Sequence, residues 1–88
     1  MTAGGIAMKI SLKYFSIYRS LFHQEEANRE YPEYSSVQDI FLSHFENDEE
    51  ALKYLKFTRF AVNAEYVPVS TLLNEGDELV FIPPISGG

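Results

Sequence analysis

The sequence predicts an α+β fold, a sheet of about five short strands with one main helix and shorter helical pieces over one face. Three observations predict it. An early stretch alternates apolar and polar residues with the period of a strand, a central stretch keeps helical spacing behind a capping signal, and the last apolar run is a strand followed by a Pro- and Gly-rich ending. The chain has 88 residues, enough for one domain, and a domain of that size buries about 60 to 65 % of the surface its unfolded chain exposes. Seven Phe, six Tyr and an apolar content of 45 % fill such an interior and exclude intrinsic disorder.

From Met8 to Phe15, Met8, Ile10, Leu12 and Tyr14 fall on one face and Lys9, Ser11 and Lys13 on the other, the pattern of a half-buried strand. Ser16 to Asn28 carries an apolar patch at Ile17, Leu21 and Phe22 and predicts a helical turn before a loop. Arg29 to Tyr34 reads as a second strand, held to an edge position because Pro32 donates no ladder hydrogen bond. Ser35 and Gln38 form an S-x-x-Q capping box, and Val37, Ile40, Phe41 and Phe45 keep helical spacing behind it, so the main helix is expected to run to about Asn47. Asp48, Glu49 and Glu50 match the positive end of a second short helix carrying Ala51, Leu52 and Leu55.

Thr58 to Asn63 predicts a third strand with Phe60 and Val62 on one face. Asn63-Ala64 predicts a tight turn into Glu65, Tyr66 and Val67, because Asn tolerates positive φ. Asn74 to Asp77 make another turn, and Glu78 to Ile82 is the last strand. The organisation expected is a flexible leader over residues 1–7, a domain over residues 8–82, and an extended tail over residues 83–88.

Lys and Arg total 7 against 13 Asp and Glu, a net charge of −6. No basic cluster suits a phosphate backbone or an anionic membrane, so the expected partner is a protein, with opposite charge to speed encounter. The leading residues show neither a signal peptide nor an anchor, and the cytoplasm is the expected location. With no Cys there is no disulfide, thiolate nucleophile or redox pair. His23 and His44 stand alone, so no metal site and no cofactor of the chain's own are expected.

The tail Pro83-Pro84-Ile85-Ser86-Gly87-Gly88 is where chemistry is expected. Gly88 has no Cβ beside the terminal carboxyl carbon, and Gly87 extends that clearance, so both pass a channel too narrow for other residues. Pro83 and Pro84 stiffen the root of the tail and lower the entropy lost on capture. Extended, the last six residues reach about 20 Å, enough to carry the terminus deep into another protein. A carboxylate is a poor electrophile; activated as an acyl-adenylate it accepts sulfide or a persulfide and becomes a thiocarboxylate, which stores sulfur without Cys.

These residues resemble the molybdopterin synthase small subunit, in the ubiquitin-like family that also holds the thiamine sulfur carrier. The resemblance spans roughly Met8 to the end and rests on Ala61-Val62-Asn63, Tyr66-Val67, Gly76-Asp77-Glu78 and Leu79 to Gly88 with its PP-x-S-GG ending. The thiamine carrier shares Gly-Gly but not usually Pro-Pro. The resemblance implies a β-grasp fold with a mixed sheet, adenylation of Gly88 by a ubiquitin-activating-type adenylyltransferase using ATP and magnesium, and insertion of the tail into the large synthase subunit. There sulfur passes to cyclic pyranopterin monophosphate to form molybdopterin. It also implies a partner-binding surface of Phe15, Arg19, Tyr66, Phe81 and Ile82, continued by Pro83, Pro84, Ile85 and Ser86. Acting alone, the chain has no triad or ligand cluster of an enzyme. A thiamine or thiolation carrier, a protein modifier joined through Gly88, and an interaction module that ignores its terminus are the alternatives.

Overall fold

The structure is a computed structural model and describes residues 6–84. Eight elements follow in chain order: β1 (Ala7–Tyr14), α1 (Ile17–Phe22), β2 (Glu26–Pro32), α2 (Val37–Leu42), α3 (Asp48–Leu55), β3 (Arg59–Val62), β4 (Glu65–Val67) and β5 (Glu78–Ile82). The five strands form one sheet in the order β2-β1-β5-β3-β4. β1 and β5 run parallel at its centre, and the other pairs are antiparallel. This is the mixed sheet of a β-grasp.

The alternation in β1 does what a half-buried strand requires. Met8, Ile10, Leu12 and Tyr14 enter the core and meet Phe60, Leu79 and Phe81 from the neighbouring strands, while Tyr18, Val37, Ile40 and Phe41 close it from the helices. Nearly every contact there is aromatic or branched, so hydrophobic burial supplies the main driving force. The opposite face carries the register row Tyr66, Ala61, Val80, Lys13 and Glu26.

Two turns hold the strands in register. Asn63 and Ala64 both have positive φ, the two-residue hairpin form whose twist matches the strands. The Asn63 side chain donates to Asp77 Oδ1 at 2.9 Å and accepts from the Glu78 amide at 3.0 Å, which ties this hairpin to the turn before β5. Gly76 sits at φ 84 in that second turn, where its amide donates to the Lys9 carbonyl at 2.8 Å. A Cβ there would meet nothing within 4 Å, so the backbone angle is what selects glycine.

Several sequence expectations are corrected. β2 begins at Glu26, not Arg29, because pairing with β1 continues through Asn28, Ala27 and Glu26; it stops at Pro32, and Tyr34 lies at φ 70 in the turn beyond. The capping box is Ser36 with Asp39, not Ser35 with Gln38: the Ser36 side chain accepts from the Asp39 amide at 3.1 Å and the Asp39 carboxylate accepts from the Ser36 amide at 3.0 Å. Ser35 is buried and donates to the Pro32 carbonyl at 2.7 Å.

α2 closes at Leu42, short of Asn47, and Phe45 packs on the core from outside it. α3 is the longer helix, with 8 residues against 6, and starts on an Asn47 cap whose side chain accepts from the Glu50 amide. In α1 the buried residue is Tyr18, whereas Ile17 and Leu21 face outward. Ala7, assigned to the leader, opens β1, and residues 1–5 lie outside the described residues.

Candidate functional site

Because β1 and β5 are parallel, the chain leaves β5 at the same end of the sheet where β1 delivers Phe15 and β3 begins with Arg59. Tyr14 is in register with Phe81 and Arg59 with Ile82, so the root of the tail stands between Phe15 on one side and Arg59 on the other. An open hollow there is lined by Phe57, Arg59, Tyr66, Ile82, Pro83 and Pro84. The Arg59 guanidinium sits 5.9 Å from the centre of the Tyr66 ring, a cation–π contact that holds both over the hollow.

The rim is apolar and open. Phe15 and Phe57 are each 44 % exposed and Tyr66 is 68 % exposed. Exposed apolar residues gathered round one feature mark a contact surface more than isolated ones do. Ile82 and Pro83 are partly exposed and Pro84 is exposed. Arg19 is exposed on α1 and, with Lys13, Phe15, Glu25 and Glu26, lines a neighbouring hollow.

Phe81 is the exception among the residues expected at this surface. It is fully buried, with its ring against Tyr14, Phe41 and Phe60, so its side chain serves the core and offers nothing to a partner. The strand period explains the difference: Leu79 and Phe81 point inward, which turns Val80 and Ile82 outward. Ile85, Ser86, Gly87 and Gly88 lie outside the described residues.

Phe57 and Arg59 were not singled out from the sequence. A signal for Arg59 exists, since Phe60 and Val62 facing inward leave Arg59 and Ala61 on the other face of β3. Phe57 sits between a helix and a strand, where no periodicity reaches it.

Beneath the rim the titratable groups are structural. Tyr14 is buried and its phenol is pushed up to about 12, while burial pushes the His44 ring down to about 4. Both are therefore neutral near pH 7 and joined by a hydrogen bond of 2.7 Å. Tyr18 is likewise pushed up by burial and bonds Thr58, whose hydroxyl donates to the Tyr54 carbonyl at 2.6 Å. Among the described residues no group of three or more His, Asp or Glu is placed to hold a metal ion, and no helix is long and apolar enough to cross a membrane.

A five-stranded β-grasp with an apolar rim around its departing C-terminal strand defines a ubiquitin-like protein. Residues 12–88 match the ThiS family, and the chain belongs to that family. It is 30 % identical over 84 residues to the molybdopterin synthase sulfur carrier subunit of Mycobacterium tuberculosis, covering 92 % of this chain and 99 % of the relative. Among solved structures, molybdopterin converting factor subunit 1 from Pyrococcus furiosus is 26 % identical with a TM-score of 0.70, over 89 % of this chain and 99 % of that one. Small archaeal modifier protein 1 from Methanosarcina acetivorans is 26 % identical with a TM-score of 0.69, over 96 % and 100 % of the two chains.

Proposed function

We propose that this chain is the sulfur carrier of a molybdopterin synthase, working through the carboxyl group of Gly88. A carboxylate oxygen of Gly88 attacks the α-phosphorus of ATP on a ubiquitin-activating-type adenylyltransferase, with magnesium, and pyrophosphate leaves. Hydrosulfide then displaces AMP from the acyl-adenylate and leaves the thiocarboxylate; a persulfide donor instead gives an acyl disulfide, whose S–S bond a second thiol of the donor breaks, releasing the thiocarboxylate and leaving the donor as a disulfide. The large synthase subunit receives the tail, and sulfur passes to cyclic pyranopterin monophosphate.

The observation that carries the reading is the root of the tail, where Pro83 leaves the central strand through an apolar rim with exposed Phe15, Phe57 and Tyr66. A partner that covers this rim also meets Pro83 and Pro84 at the root of the tail, and the two prolines reduce what capture costs in entropy. Family membership over residues 12–88 and the name of the Mycobacterium tuberculosis relative support the same reading. In this scheme Gly87 and Gly88 enter the reacting channel, while Arg19, Phe15, Tyr66, Ile82, Pro83, Pro84, Ile85 and Ser86 hold the partner. The proton transfers of this scheme belong to the partner proteins. All of this takes place in the cytoplasm.

Likeness to small archaeal modifier protein 1 favours a second reading, in which the activated Gly88 forms an isopeptide bond with a lysine of another protein. Reconstitution separates the two. The chain, the adenylyltransferase, ATP, a sulfur donor, the large subunit and the pterin precursor should yield molybdopterin, and removal of Gly87 and Gly88 should abolish it. Conjugates to other proteins with no pterin product would favour the modifier.

A further inference from the structure

A second apolar surface lies on the helix side of the tail root. Ile17 and Leu21 of α1 are 41 % and 37 % exposed and, with Ser20 and Tyr54, line a shallow hollow between α1 and α3. Tyr54 meets Phe57 edge to face, with ring centres 5.7 Å apart, and Phe57 in turn lines the hollow at the tail root. The two surfaces are thus one band that turns round Phe57. Core packing does not require it, since Tyr18 and Phe22 fill the inward side of α1.

Three cations follow one another along the α3 end of this band. Lys53 and Lys56 close α3 and Arg59 follows Phe57, all exposed, while Asp48 and Glu49 open that helix and Glu50 lies one turn before Tyr54. The one ion pair among the described residues, Lys13 with Glu78 at 3.4 Å, involves none of these cations. A strongly acidic chain therefore edges this band with cations that have no carboxylate partner within it, which suits a facing surface bearing carboxylates.

We propose that the helix-side patch of Ile17, Leu21 and Tyr54 is a second docking surface for the tail-receiving large subunit, which seats an apolar surface edged with carboxylates on it. This rests on the tail-capture reading above. The tail and rim then present the terminus, and the helix-side patch fixes the angle from which the partner approaches.

The test is binding of the full-length chain to the isolated large subunit, measured by calorimetry, for the unchanged chain, I17Q/L21Q, K56E and L72Q. Gln preserves helix propensity in α1. Leu72 is exposed but bridges Ser36 at the opposite end of the sheet, so L72Q measures the general effect of losing an exposed apolar side chain. Far-UV circular dichroism and the unfolding midpoint establish that each variant is folded.

The expected result is a loss of about tenfold or more in affinity for I17Q/L21Q, a smaller loss for K56E that shrinks with added salt, and no change for L72Q. An I17Q/L21Q affinity within about threefold of the unchanged chain overturns the inference. So does a self-associated chain that I17Q/L21Q converts to monomer, because the patch then belongs to a second copy. If the unchanged chain does not bind the large subunit at all, the tail-capture reading fails and takes this inference with it.

Discussion

Tyr14 and His44 meet inside the protein as a neutral hydrogen-bonded pair. Nδ1 of His44 lies 2.8 Å from the Ile40 carbonyl and must donate to it, which leaves Nε2 as the acceptor for the Tyr14 phenol at 2.7 Å. Burial lowers the His44 pKa from 6.5 to about 4, with the Arg29 charge on β2 acting in the same direction and the Ile40 carbonyl opposing. Between those values the unfolded chain binds a proton that the folded chain refuses, so stability rises with pH across the window and is lost as pH falls through it. The expected loss from this group is on the order of 3 kcal/mol at full extent. Urea midpoints between pH 7 and pH 4 check it, and the acid slope should flatten in His44→Phe.

Tyr18 ties α1 to the start of β3. Its hydroxyl bonds Thr58, and the Thr58 hydroxyl also bonds the Tyr54 carbonyl. Tyr18→Phe should cost about 1 kcal/mol, because Thr58 keeps its other partner. Thr58→Val strands the buried phenol, while the Tyr54 carbonyl keeps the Phe57 amide, and should cost more, about 1 to 3 kcal/mol. Denaturant unfolding of the two variants gives the order directly.

Ala64 adopts φ 73 in the hairpin between β3 and β4. An L-residue with a Cβ pays about 1 kcal/mol for that region, and glycine does not. Ala64→Gly should therefore raise the unfolding midpoint by the equivalent of about 0.5 to 1 kcal/mol, the reverse of the usual effect of introducing glycine. An unchanged or lower midpoint would contradict the turn assignment.

Phe81 and Tyr66 should separate stability from binding. Phe81→Ala empties the centre of the core and should cost about 3 to 5 kcal/mol. Tyr66→Ala removes an exposed ring and its contact with Arg59, costs about 1 kcal/mol or less in stability, and should weaken capture by the large subunit. Thermal unfolding and a binding titration on both variants make the comparison.

Residues whose period decided their environment were legible in the sequence. The alternation of β1, the apolar spacing of Val37, Ile40 and Phe41, and the Asn63 turn all appear as expected, since each rests on local geometry. Gln38 and Ser35 show where local reading stopped. S-x-x-Q and S-x-x-D both present capping chemistry one residue apart, and the choice fell to Ser36 because Ser35 is drawn into the Pro32 turn and its carbonyl bonds the Leu73 amide. β2 extends beyond what its sequence predicts because Glu26, Ala27 and Asn28 have little strand propensity of their own; pairing with β1 imposes it. At the candidate site, the rim was partly legible through Phe15, Tyr66 and Ile82. Phe57 was not, because the loop that presents it acquires a position only when α3 and β3 pack.

The most direct test of sulfur carriage is the intact mass of the chain after incubation with the adenylyltransferase, ATP, magnesium and a sulfur donor. A mass gain of one oxygen-to-sulfur replacement, located by fragmentation at Gly88, is the result predicted. An unchanged mass, with the terminus intact and the enzyme active on a control carrier, would contradict it.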